Sequence, residues 1–190
     1  MFAPAPPSQQ GNICEVFRQN PDWYDYASAS EQKWGTPVAT QMAFIRHESG
    51  FRSHVRPPRN RLLGFIPLGR PSSAYGYAQA QDPVWGEYKS DAGSWLASRN
   101  DMEDATDFIG WYNRRTHRQA GVSLDNAEHL YLAYHEGVGG YRSGSWRNKP
   151  VVQRTARSVS ALAATYRSQL AQCEAEFRCR RFWQVRPFCS

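Results

Sequence analysis

Hydrophobic positions recur at helical spacing through most of the chain. Val38, Met42 and Ile45 fall on one face of a segment opened by Thr36-Pro37 and closed by Gly50. Asn20-Pro21 and Asp82-Pro83 repeat the opening signal, an N-cap residue followed by proline at the first helical position. Asn100 and Glu103 make a capping-box-like start to a stripe of Met102, Ala105, Phe108, Ile109 and Tyr112. Another helix is predicted from about Leu124 to Tyr134, ending before Gly137. The longest begins near Pro150 and carries Val152, Val159, Leu162, Tyr166, Leu170, Cys173 and Phe177. Between Val55 and Ser73 the periodicity breaks. There "VRPPRNRLLGFIPLGRPSS" holds four prolines and predicts a long loop or short hairpin.

These elements place one mainly helical domain over residues 12–190, with no internal repeat or linker, behind a flexible leader at 1–11. The leader has neither the basic nor the apolar region of an intact signal peptide. No apolar run approaches the ~20 residues needed to span a bilayer.

Composition narrows the partners. With 190 residues, 41% hydrophobic and 14% aromatic, the chain can bury a sizeable core. Its formal charge of +6 favours an anionic partner: nucleic acid, anionic lipid or an acidic polymer such as cell wall. The arginines are scattered and no nucleic-acid recognition motif is present, so nucleic acid is not the expected partner. The four cysteines, Cys14, Cys173, Cys179 and Cys189, form no C-x-x-C pair. An even count at distant spacing fits two disulfides in an exported protein, with three connectivities open. The expected pairs are Cys14–Cys173, tying the first helix to the last, and Cys179–Cys189 across the basic tail.

Candidate chemistry begins at "IRHESGF", residues 45–51. Glu48 lies in the last turn of its helix, where the partial negative charge of the carbonyl end opposes ionisation. That suits a general acid. Two further segments, "AYGYAQA" (74–80) and "AYHEGVGGY" (133–141), also join polar groups to glycines and aromatics. Taken alone, each has a purely structural reading: Glu48 as a surface ion pair, Gln79 as a helix cap, Tyr134 as a core aromatic.

Taken in order, the three segments resemble the lytic transglycosylases of the soluble transglycosylase and goose-type lysozyme superfamily. Glu48-Ser49-Gly50-Phe51 is similar to the catalytic E-S-x-F motif, Gly76-Tyr77-Ala78-Gln79 to G-L-M-Q, and Ala133-Tyr134-His135-Glu136-Gly137 to A-Y-N-A-G. The resemblance spans about 45 to 170. It implies a mainly α (α+β, lysozyme-like) single helical domain, with a small loop or hairpin region lining a substrate groove. It also implies cleavage of the MurNAc–GlcNAc β-1,4 bond of peptidoglycan, with closure of a 1,6-anhydro ring. Glu48 would first protonate the glycosidic oxygen and then, as carboxylate, take the proton of the attacking muramyl 6-hydroxyl. Ser49, Tyr75, Tyr77, Gln79, Tyr134, His135, Glu136 and Tyr141 would bind glycan, the tyrosines of 75, 77 and 141 by stacking. No cofactor or metal is implied. A monomer acting on peptidoglycan strands, periplasmic or secreted, or outer-membrane-attached through a removed N-terminal signal, is the expectation.

The match has departures. Tyr77-Ala78 replaces Leu-Met, and His135-Glu136 replaces Asn-Ala. A tyrosine that the family carries early in its last helix aligns here with Thr155, while Tyr166 falls about three turns later. Tyr141 is the candidate substitute. His47-Glu48 and His135-Glu136 each resemble half of a zinc-binding H-E-x-x-H, but neither carries the second histidine, and Phe51 stands in its place after the first. Two alternatives stay open: a hydrolase using water, with Glu136 as second carboxylate, and a wall-binding protein without activity.

Overall fold

A computed structural model describes residues 5–56, 61–62, 66–67 and 72–178. Its elements run α1 (Ile13–Gln19), α2 (Asp22–Trp34), α3 (Val38–Ser49), β1 (Arg61–Leu62), β2 (Ile66–Pro67), α4 (Asp82–Asp91), α5 (Met102–Ala120), α6 (Ala127–Ser143), α7 (Pro150–Cys173) and α8 (Ala175–Arg178), with a 3-10 turn at Ser145–Asn148. The fold is mainly helical and lysozyme-like. The two short strands pair antiparallel, Arg61 opposite Pro67 and Leu62 opposite Ile66, within the segment that breaks the helical pattern.

α3 is the central helix. Val38–Ile45 are all buried, including Thr40 and Gln41, so it is covered all round rather than on the single face predicted from Val38, Met42 and Ile45. Burying Gln41 is tolerable because its amide donates to the carbonyls of Ala27 and Thr36, at 3.1 and 2.7 Å. Around α3, helix α5 packs on α2, and α7 packs on both α3 and α6. The predicted α5 stripe is buried throughout, and so are Val152, Val159, Tyr166, Leu170 and Cys173 of α7. Phe177 joins the core from α8, between Phe17 and Tyr24.

Helix starts differ from the predicted ones by a residue or so. Pro37 and Gln81 are the N-cap residues of α3 and α4, which displaces Thr36 and Asp82 from that role. Asp101, not Asn100, caps α5, accepting from the amides of Glu103 and Asp104. At α5 the cap is decided by which side chain meets the open amides, whereas Pro37 and Gln81 make no side-chain cap bond. α6 begins at Ala127 and runs past the predicted stop. Gly137 interrupts it with φ 74° and ψ 155°, a region essentially reserved for glycine, and the helix resumes to Ser143.

The leader expected to be flexible through residue 11 is held over Ser8–Gly11. Gln10 donates to the Gly50 carbonyl, Gly11 accepts from Gln169, and the Tyr166 hydroxyl donates to Gln10. Cys14 and Cys173 are joined by a disulfide, so α1 is stapled to the end of α7. The expected Cys179–Cys189 pair lies outside the described residues. The Cys14–Cys173 bridge closes a loop of 159 residues. In the chain-entropy account that restricts the unfolded chain by about 5 kcal/mol. Replacing Cys14 and Cys173 together by alanine should lower the unfolding free energy by ~2–5 kcal/mol in urea titrations, with little change in the helical signal of the folded protein.

Candidate active site

The three motif segments meet. α3 ends at Gly50, in the left-handed conformation (φ 58°), and Phe51 follows with φ 58° as well. A left-handed conformation costs a non-glycine residue about 1–2 kcal/mol, and the packing of the Phe51 ring offsets it. That ring is fully buried and stacks on Trp23 of α2 at 5.6 Å. Trp23 also meets Tyr77 edge-on at 5.8 Å, so one indole joins the first motif to the second.

The second motif is a tight turn closed by a bridge between Tyr75 and Ala80. Gly76 (φ 81°) lies directly on the Arg99 carbonyl, where a Cβ would sit 1.9 Å from the oxygen. Gln79 is also left-handed (φ 49°), and its amide donates to the carbonyls of Gly76 and Val55 at 2.8 and 3.0 Å. The third motif reaches the second through Tyr134, whose hydroxyl donates to the Ala78 carbonyl at 2.6 Å.

Glu48 sits where these segments converge, in the last turn of α3 as its sequence position predicts. Its Oε1 accepts from the Tyr131 hydroxyl at 2.8 Å. Burial pushes its carboxyl up to about 7, against the opposing pull of that hydrogen bond. Tyr131 is itself buried, and burial together with the Glu48 charge raises its phenol far above the usual range. Tyr131 therefore stays neutral and acts as a donor. Phe44 packs edge-on against both Tyr131 and Tyr134, at 5.2 and 5.4 Å, and His47 meets Tyr131 at 5.3 Å. Partial burial, then the nearby His135 and Arg46, lower the His47 pKa, so that ring is neutral near pH 7.

The remaining predicted site residues are placed as follows. Ser49 is buried and its hydroxyl returns to the Ile45 carbonyl at 3.1 Å, a helix back-bond. Tyr77 is 2% exposed and belongs to the core, which corrects its expected stacking on sugar. Tyr75 is half-buried, hydrogen-bonded to His54 at 2.7 Å, with the Arg56 guanidinium over its ring at 4.4 Å. Tyr141 stacks on Trp146 and shares a 2.6 Å hydrogen bond with His129. Glu136 is ion-paired with Lys149 at 2.8 Å, accepts from Ser145 and meets His135 at 3.1 Å. Lys149 first, then Ser145, hold its carboxyl down at about 2. His135 is exposed. Thr155, where the family's late tyrosine aligns, is a half-buried α7 residue, and Tyr166, about three turns on, is fully buried and bonded to Gln10.

The phenol beside Glu48 is Tyr131, which motif matching passed over because it lies three residues ahead of Tyr134. The signal was available in "LYLAY": two tyrosines at i and i+3 share a helix face, and one of them was already a candidate. Among the described residues no group of three or more His, Cys, Asp or Glu side chains is placed to hold a metal ion.

The chain matches the transglycosylase SLT domain family over residues 2–173 and belongs to it. That family comprises peptidoglycan lytic transglycosylases, so its substrate class is the wall polymer. No curated protein and no solved structure matches the chain. No described helix is long and apolar enough to cross a membrane.

A buried acid with a raised pKa makes stability depend on pH in a definite direction. Between the unfolded value of about 4.5 and the folded value of about 7, the folded protein holds the Glu48 proton that the unfolded chain releases. Stability from this group is therefore complete below about pH 4.5, falls as pH rises, and levels off above pH 7. The shift corresponds to roughly 3 kcal/mol. Glu48→Gln should match wild type in denaturant titrations at pH 4 and exceed it by up to ~3 kcal/mol at pH 8. Parallel pH–stability curves would mean the carboxyl is not buried as described.

Proposed function

We propose that this protein is a peptidoglycan lytic transglycosylase of the periplasm or the secreted fraction, and that Glu48 carries both of its proton transfers. The observation that supports this is the Glu48 carboxyl itself: half-buried at the end of α3, bonded to a neutral phenol, with its pKa pushed up to about 7. A group so poised is partly protonated at neutral pH, where it can give a proton to the glycosidic oxygen and later take one back. In the first step the bond between the muramyl anomeric carbon and the bridging oxygen breaks, and the Glu48 proton goes to that oxygen. In the second, the muramyl 6-hydroxyl oxygen bonds to the anomeric carbon and its proton returns to the Glu48 carboxylate. No water is consumed. Tyr131 keeps its hydrogen bond throughout, strengthening when Glu48 is anionic, and so moderates how far burial raises the acid.

Gln79 and Tyr134 act here by shape. Their hydrogen bonds to Val55, Gly76 and Ala78 hold the turn that faces Glu48's helix end. Tyr77 anchors the same turn in the core against Trp23, Ser49 bonds back into α3, and His135, exposed beside His47, is the polar residue of the third motif that remains open to sugar.

Digestion of purified sacculi followed by mass spectrometry tests the reading. Wild type should release muropeptides lacking the mass of water relative to hydrolysed ones. Glu48→Gln should bind sacculi normally and lose at least ~10²-fold in release, the contribution of positioned acid–base catalysis. Glu136→Ala should lose far less. Hydrated products from wild type, or a folded Glu48→Gln protein with full activity, would overturn the mechanism.

Tyr131→Phe gives an independent check. Without the phenol's hydrogen bond the carboxylate is less favoured, so the Glu48 pKa should rise further. Because the protonated acid begins the reaction, the alkaline limb of the kcat profile should move to higher pH, alongside a drop in kcat. An unmoved limb would show that Tyr131 does not act through Glu48.

A further inference from the structure

A cleft of about 320 Å³ opens where α2 ends. Its walls are Trp34, the last residue of α2, together with Glu87 and Asp91 of α4 and the outer face of α5. Close packing of α2 on α5 creates it. Gly110 lets the Trp34 ring lie against α5, where a Cβ would meet that ring at 2.6 Å. Beyond Trp34 the next turns of α5 bring Arg114, Arg115 and Arg118 to the cleft, around the edge of the buried Trp111 ring.

The polar groups of this cleft divide into those already used and those still free. The Trp34 indole N–H donates to Asp107 and the Trp111 indole N–H to Asp91, each at 2.7 Å. Lys33 is paired with Asp107, and Arg115 with Glu87. Both acids of the lining are therefore engaged by neighbours. Arg114 and Arg118, one turn apart on α5, have no acidic partner among the described residues. What the cleft has to offer a ligand is the part-exposed Trp34 indole, the edge of the buried Trp111 indole and two guanidinium donors. That is the complement of a carboxylate on a partly apolar body, and guanidinium is the side chain best suited to grip a carboxylate through two parallel hydrogen bonds. The volume is at the small end for ligand sites and fits a short peptide rather than a glycan strand.

The cleft is separate from Glu48. The ring contacts run from Tyr131 to Tyr134 (6.4 Å), to Tyr112 (5.1 Å) and then to Trp111 (6.3 Å), so Trp111 closes the far end of the stack that begins at the active carboxyl.

We propose that this cleft binds the free carboxylates of peptidoglycan stem peptides, giving the protein a wall contact distinct from the cleavage site. The proposal rests on the wall polymer being the substrate. Peptidoglycan is a mesh, so a peptide held here belongs to a strand other than the one at Glu48. The site raises the residence time on sacculi and leaves the chemical step alone.

The probe is a stem tetrapeptide released from sacculi by an amidase, titrated while the indole N–H signals of Trp34 and Trp111 are followed by NMR. The expected result is a shift of both signals that is absent with the same peptide carrying carboxamides in place of carboxylates. Arg114→Gln with Arg118→Gln should weaken the peptide at least ~10-fold, the loss of one charge-assisted hydrogen bond. The same double variant should bind sacculi more weakly while turning over a short soluble glycan at the wild-type rate. Lysines at both positions should restore part of the binding, and an unchanged thermal transition confirms that the variants fold. Silent indoles, equal shifts with the carboxamide peptide, or unchanged binding in the glutamine variant would each overturn the assignment. A response to polyglutamate but not to the tetrapeptide would do so too, in favour of an acidic protein partner. Peptide binding by a protein that cleaves no glycan would sink the enzymatic reading and leave the cleft standing, whereas silent indoles in an active enzyme would do the reverse.

Discussion

Glu48 is half-buried at the end of the central helix and, among the described residues, receives a hydrogen bond from Tyr131. An isolated buried carboxylate would be far too costly, so the group responds by holding its proton to about pH 7. Each neighbouring feature follows from keeping that situation stable. Among the described residues the surroundings are rings: Phe44 packs on Tyr131 and Tyr134, Tyr131 bonds the carboxyl, and His47 is kept neutral. A lysine or arginine in contact would pull the acid back toward its ordinary range.

The scaffold holds this acid by accepting strain close to it. Phe51 and Gln79 both have left-handed backbones without being glycine. Each is compensated by an interaction that the ordinary conformation could not make. Phe51 buries its whole ring against Trp23, and Gln79 ties two loop carbonyls together. Since Trp23 also carries Tyr77, and Tyr134 holds Ala78, three chain segments far apart in sequence are fixed to one another next to the carboxyl. Farther out, the Cys14–Cys173 bridge and the Gln10–Gly50 hydrogen bond clamp the chain's first helix and its leader against the end of α3. Rigidity at the site is thus bought well away from it.

How much of this could be read from the residues depends on the range of the interaction. Helices with strong periodicity, such as α5 and α7, were legible because their burial follows from spacing alone. The end of α3 at Gly50, and with it the place of Glu48, was legible from a local stop signal. Caps slipped by a residue at Pro37, Gln81 and Asp101: Asp101 takes the first amides of α5 in place of Asn100, while Pro37 and Gln81 hold the cap position with no side-chain bond, set by the backbone alone. The continuation of α6 past Gly137 was hidden because glycine there serves as an interruption, not an end. The Tyr131 contact to Glu48 spans 83 residues: the i, i+3 spacing with Tyr134 puts Tyr131 on the motif's helix face, but no local signal names Glu48 as its partner. The same holds for Tyr77. Its position in a motif suggested a sugar contact, while its burial was settled by an indole more than fifty residues away.

Glu136 illustrates why a carboxylate in a motif is not yet a catalytic one. For a water-activating partner to Glu48, it would need to be free to take a proton near neutral pH. Its side chain is 4% exposed and saturated by Lys149, Ser145 and His135, and Lys149 and Ser145 hold its pKa near 2. An acid so stabilised as an anion is a poor base. Its partners show what it does instead. Ser145 and Lys149 lie on the stretch between α6 and α7, and Glu136 immediately precedes the break at Gly137. A fixed negative charge at that point ties the broken helix to the turn that leads into α7, and α7 packs back on α3. The replacement of Asn-Ala by His-Glu therefore divides into two roles, with the glutamate bracing the kink and the histidine left at the surface beside His47. Of the two acids, only Glu48 retains a proton to give at neutral pH.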